Sequence, residues 1–240
     1  MSKYKYNSWP LGEVPEELQR PEINKLKELG YKFDDARDIV DMFEIKIAKF
    51  AGCKYAVTVD CCTNGMFLSL KYLQNIGELS DVKFITIPSR TYVSAAVQVL
   101  HLGYDVRYSD EKWSGIYCMN PTRVWDGAVR WTKGMYVGNP ALQVVSFQFK
   151  KRVPIGKGGV ILTDDKDAAE MLKLMRYDGR DLTLPYTHPD HMKTLGYHMY
   201  MTPEDAARGI ILMDSVPEVN EDSGNYTTYP DVEKMLRRLI

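Results

Sequence analysis

The stretch Ser146-Phe147-Gln148-Phe149-Lys150-Lys151-Arg152-Val153-Pro154-Ile155-Gly156-Lys157-Gly158-Gly159 sets two lysines between one apolar run and a glycine turn into the next. Lysine on a strand-closing loop is ordinarily a solvated charge. Upstream, Arg123-Val124-Trp125-Asp126-Gly127-Ala128 ends another apolar run on a carboxylate. Asp126 followed by Gly127 also fits a turn or helix-capping aspartate. If both runs end at the same edge of one sheet, an amine and a carboxylate face a ligand there together.

Outward from this stretch, residues 37–51 carry Ile39, Met42, Phe43, Ile47 and Phe50 at helical spacing, and Gly52 follows as a stop. Tyr55 to Val59 reads as a buried strand, and Thr63 opens a helical run with Met66, Phe67, Leu70 and Leu73. Residues 82–87 form a strand closed by Pro88 and Ser89, about 92–102 a helix ending at Gly103, and 106–108 a further strand. Later strands are expected at 123–126, 142–149 and 158–163, and helices at about 166–177 and 203–213. Strand and helix alternate, the pattern of an α/β domain with a mostly parallel central sheet. Residues 215–230 read as an irregular tail, and 234–238 as a solvated helix end.

A length of 240 residues suits one large domain, alone or with a small appendage. The formal charge of −1 gives no overall pull toward nucleic acid or an anionic membrane. Cys53, Cys61, Cys62 and Cys118 make no CxxC pair, so neither a metal site nor a disulfide framework is expected, and a reducing cytoplasm fits best. No window reaches the apolar length of a membrane span, and the first residues lack a signal-peptide apolar region.

Several residues fall on the strand-end edge, where helix N-termini offer free N–H groups to anions. Asp60-Cys61-Cys62-Thr63-Asn64-Gly65 joins a strand to a helix; the Thr63 hydroxyl either grips a phosphate or simply caps its helix. Tyr92, in Ser89-Arg90-Thr91-Tyr92, either covers a flat heterocycle or packs on the helix start. Ser146, five residues before Lys151, is placed to touch a phosphate held near that lysine, or is an ordinary strand serine. Pyridoxal phosphate (PLP) needs a lysine for its aldehyde and an aspartate for its ring nitrogen.

In ordered succession from about residue 40 to 213, these segments resemble the DegT/DnrJ-type sugar aminotransferase family. The stretch Phe43 to Val57 is similar to the family's entry into the large domain, Cys62-Thr63 stands at its Gly-Thr step, and Thr91-Tyr92 at its Thr-aromatic step. Trp125-Asp126-Gly127-Ala128 resembles its Glu-Asp-Ala-Ala step. Its Ser-Phe-x-x-x-Lys-x-x-x-x-Gly-x-Gly-Gly pattern falls on Ser146, Phe147, Lys151, Gly156, Gly158 and Gly159.

The resemblance implies the three-layer large domain of the aspartate-aminotransferase-like PLP fold, here residues 1–214. Residues 215–240 form a short tail in place of the usual C-terminal small domain. It implies a Schiff base on Lys151, Asp126 at the pyridine nitrogen, Tyr92 over the ring, and Cys62, Thr63 and Ser146 at the phosphate. The pattern selects Lys151 over Lys150, and strand alternation is taken to let only one of the two neighbours reach the ring. The implied reaction moves an amino group, from glutamate, to a nucleotide-linked keto-sugar in a homodimer with shared sites. His198 stands where the family has an asparagine that reaches the neighbouring subunit's cofactor. Val129 and Tyr200 depart from the family's His or Gln and Arg. They favour the rival reading, a non-catalytic binding or regulatory protein of the same fold, which Lys151 and Asp126 oppose.

Overall fold

In the computed structural model, residues 2–3, 18 and 20–237 are described. Expectations for residues 1, 4–17, 19 and 238–240, including part of the large domain's N-terminal segment and Arg238 of the helix end, lie outside them. The helices are α1 (Glu22–Glu28), α2 (Arg37–Ala51), α3 (Cys62–Asn75), α4 (Val93–His101), α5 (Lys166–Met175), α6 (Pro203–Met213) and α7 (Val232–Leu236). The strands are β1 (Tyr55–Val59), β2 (Phe84–Pro88), β3 (Asp105–Ser109), β4 (Tyr117–Cys118), β5 (Val124–Asp126), β6 (Leu142–Ser146) and β7 (Gly159–Thr163).

Five strands form one sheet in the order β1-β7-β6-β5-β4, and β2 and β3 form a second. An antiparallel bridge between Thr86 and Asn120 joins β2 to the chain just after β4. Alternate strand residues feed opposite faces, as the pleat requires. Val57, Val59, Val144 and Ile161 pack with Met66 and Leu70 of α3 and Leu172 of α5. Ala56, Val145, Val160 and Leu162 pack with Ile39, Phe43 and Ile47 of α2 and Ala207 and Ile210 of α6. The result is helix, sheet and helix in three layers.

The sheet is mixed, where a mostly parallel one was expected. β2–β3 and β5–β6 are parallel, whereas β1–β7, β6–β7 and β4–β5 are antiparallel. A parallel return needs a long crossover, usually through a helix. Residues 147–158 contain no helix and fold back on themselves, with Phe147 N–H donating to Gly158 O at 3.0 Å and Gly156 N–H to Phe147 O at 3.2 Å. Between β4 and β5, Thr122 N–H donates to Met119 O at 2.9 Å, closing a tight turn.

One ion cluster ties the layers together. Glu44 of α2, 3% exposed, accepts the N–H and hydroxyl of Thr58 on β1 at 2.8 and 2.9 Å. It also pairs with Arg176, which caps α5, and with Lys173 at 2.8 Å. Arg176 donates onward to Thr58 O at 2.6 Å.

Residues 215–237 lie on this body. Asp222 takes both ends of the Arg130 guanidinium at 2.8 and 3.0 Å. Tyr226 N–H donates to Trp113 O at 3.0 Å and Val232 N–H to Ser89 O at 2.8 Å, while Val232 and Leu236 enter the core. The stretch read as an irregular tail thus includes a 3-10 turn at Tyr226–Thr228, and α7 follows it.

Candidate active site

At the ends of β1, β5 and β6 opens a cavity of about 550 Å³. Lys151, Asp126, Cys62, Thr63, Tyr92 and Ser146 all line it. His198 does not line it; its exposed ring sits 3.1 Å from the Asp178 carboxylate.

The helix N-terminus forms one wall. Cys61 caps α3, its Sγ accepting the Asn64 N–H at 3.4 Å, so Thr63 is not the cap. The Cys62 and Thr63 N–H groups belong to the first helical turn and have no acceptor within the helix. The Thr63 hydroxyl donates to Ser94 at 3.0 Å, and Ser94 lines the cavity beside it. Gly159 allows this wall to touch the sheet, because a Cβ there would lie 2.6 Å from Cys62 N. Lys157, paired with Asp60 at 3.2 Å, adds positive charge at the rim.

Asp126 ends β5 and is 5% exposed. Its Oδ1 accepts the Ala128 N–H at 2.9 Å and its Oδ2 the Tyr117 hydroxyl at 2.7 Å. Burial raises its carboxyl from the ordinary value, while those two donors and Lys151 pull the other way. Burial likewise lowers the Lys151 ammonium, opposed by the Asp126 charge, which enlarges the neutral, nucleophilic fraction of this amine. The Cys62 thiol is pushed well up by burial and then by Asp126, so it stays protonated.

Strand alternation does not separate Lys151 from Lys150, since β6 stops at Ser146 and both lysines line the cavity from the turn beyond it. What distinguishes them is burial: Lys150 is exposed, with its amine over the Phe149 ring, and Lys151 is half-buried.

Sequence reasoning missed Tyr117, Ser94, Lys157 and the wall formed by Ser223, Thr228 and Tyr229. Burial, then the Asp126 charge, pushes the Tyr229 phenol up to about 12. Among the described residues, no helix is long and apolar enough to cross a membrane.

The chain belongs to the DegT/DnrJ/EryC1/StrS aminotransferase family, which it matches over residues 31–135 and 126–230. It is 24% identical over 265 residues to the spore coat polysaccharide biosynthesis protein SpsC of Bacillus subtilis (strain 168), covering 89% of this chain and 66% of that protein. Among solved structures it superposes on AtS13 from Actinomadura melliaura with TM-score 0.67 at 18% identity, covering 88% of this chain and 68% of the other. For Helicobacter pylori PseC, an aminotransferase involved in the biosynthesis of pseudoaminic acid, the TM-score is 0.59 at 19% identity, with coverages of 82% and 63%. These likenesses show the three-layer aminotransferase fold. The chain spans about two thirds of the length of these proteins.

Proposed function

We propose that this chain is a PLP-dependent aminotransferase that moves an amino group, from glutamate, to a nucleotide-linked keto-sugar. The observation that carries this reading is the convergence of a half-buried Lys151, a buried Asp126 and the open first turn of α3 on one cavity. That donor set fits PLP: a carboxylate for a ring nitrogen, an amine for an aldehyde, and N–H groups for a phosphate.

When bound, PLP supplies an electron sink and a carrier for the amino group. Asp126 orients the ring and keeps its nitrogen protonated. The Cys62 and Thr63 N–H groups, with Ser146 and Lys157, hold the phosphate. Tyr92, 57% exposed, covers one side. Lys151 Nζ would be the amine that holds the aldehyde end of the cofactor, and the same amine would carry the proton at the donor's α-carbon. Residues 223–229 act as a strap over the large domain, shielding the cavity from water. A reducing cytoplasm suits the four free thiols.

The non-catalytic reading draws on two positions: Val129 is buried in the core rather than lining the cavity, and the Tyr200 ring lies tilted against Tyr177 with centroids 4.2 Å apart. The deciding experiment follows the visible spectrum of the PLP-loaded protein while glutamate is added. Conversion of the cofactor to its amine form supports the enzyme; a bound cofactor indifferent to any amino acid supports the rival; no uptake of PLP removes both.

The homodimer is part of this proposal, and the exposed His198 is the residue offered to the partner's phosphate. His198→Ala should leave the dimer intact and weaken PLP binding roughly tenfold to hundredfold, the worth of one hydrogen bond to a charged group. Equilibrium titration beside sedimentation checks it, and an intact dimer with unchanged affinity rules out this role.

A further inference from the structure

We propose that Tyr117 is a positioning residue whose buried hydroxyl, itself held by Thr91, keeps the Asp126 carboxylate ionised and fixed toward the cavity. This deepens the reading above and rests on it for the task of Asp126.

Tyr117 and Asp126 are direct partners across the β4–β5 pair, so their side chains share a face of the sheet. The phenol donates to Asp126 Oδ2 at 2.7 Å and lies 2.7 Å from the Thr91 hydroxyl. A phenol has one proton, and Asp126 as a carboxylate has none to give, so Thr91 must donate to Tyr117. The chain therefore runs one way, from Thr91 to Tyr117 to Asp126. Tyr117 and Thr91 are each 1% exposed, and neither lines the cavity, so both act through Asp126. Burial, then the Asp126 charge, holds the phenol well above its ordinary value, so it remains a permanent donor.

The titratable and charged groups facing Asp126 are Lys151 from the turn after β6, Cys62 from α3, Tyr117 from β4 and Tyr229 from the strap. Only Lys151 among them is cationic. Against the desolvation of a carboxylate so deeply placed, a neutral donor from behind stabilises the charged form without neutralising it. Thr91 also precedes Tyr92, so the same chain of hydroxyls links the ring-nitrogen partner to the loop that carries the covering aromatic.

Tyr117→Phe removes only the hydroxyl and keeps the ring packed on Trp113 at 5.2 Å. The experiment titrates the carboxyl carbon of Asp126 in aspartate-labelled protein without added PLP, with the signal assigned by Asp126→Asn. Loss of a hydrogen bond to a charged group should move the Asp126 titration upward by about one to two pH units in Tyr117→Phe. The acid limb of PLP affinity should move up with it. A purely structural role for Tyr117 would lower the melting temperature and leave the carboxyl titration where it was, and that result overturns the proposal. Should Tyr117→Phe fail to fold, Thr91→Val carries the same test, with a smaller shift in the same direction expected and no shift overturning it. Failure of the wild type to take up PLP would count against the proposed function, whereas the carbon titration still decides the role of Tyr117.

Discussion

Lys151→Ala is expected to lower turnover by roughly 10²–10⁴-fold, the range for removal of a positioned proton-transfer group. Lys150→Ala should stay within a few-fold of wild type. The two lysines adjoin the same cavity, but Lys150 is exposed whereas Lys151 is part-buried, its ammonium lowered by desolvation and opposed by the Asp126 charge. Borohydride reduction of the PLP-loaded protein, followed by peptide mass mapping, should attach the cofactor to Lys151. Attachment to Lys150, or glutamate-dependent amination that survives Lys151→Ala, would sink the assignment.

Glu44→Gln should cost about 3–5 kcal/mol of stability in urea unfolding, because it leaves the buried Arg176 guanidinium without its counter-charge. Burial by itself would raise the Glu44 carboxyl, but Arg176 and Lys173 hold it at about 2, below the ordinary 4.5. The folded state therefore binds this proton less readily than the unfolded chain. Its stabilisation is complete above pH 4.5 and is lost as pH falls toward 2, a span equivalent to about 3 kcal/mol. The variant should lack that portion of the acid limb, and a wild-type acid limb in Glu44→Gln would show that the cluster contributes little.

Much of the fold was legible because local periodicity and burial agree. The apolar spacing of 37–51 becomes α2 with its stripe against the sheet, and the run 55–59 becomes β1, four of whose five residues are buried. What escaped was decided by pairing across the chain. β4 has two residues, too few for any alternation to show, yet it brings Tyr117 to Asp126. The glycines of 156–159 signalled a turn, but not that the turn would reverse the strand direction. Residues 215–230 have the composition of a loop, and their order comes from Trp113, Val129 and Arg130, far earlier in the chain. That six of the named residues would share one cavity was legible from strand-end placement together with the family resemblance. The family pattern pointed to Lys151 rather than Lys150, but the strand alternation offered as the reason does not hold, and the physical difference between the two is burial. His198 was legible only as a position, since its own chain leaves it exposed.

The strap also sets an order of assembly. The cavity's floor and helix wall come from residues 61–158, whereas Ser223, Thr228 and Tyr229 supply its outer wall. During synthesis the pocket therefore stands open on one side until the chain has been made past residue 229 and Asp222 has reached Arg130. A walled pocket in this sense reports that the strap has been made and seated, and a nascent or nicked molecule cut before the strap would keep the floor and helix wall while losing its enclosure.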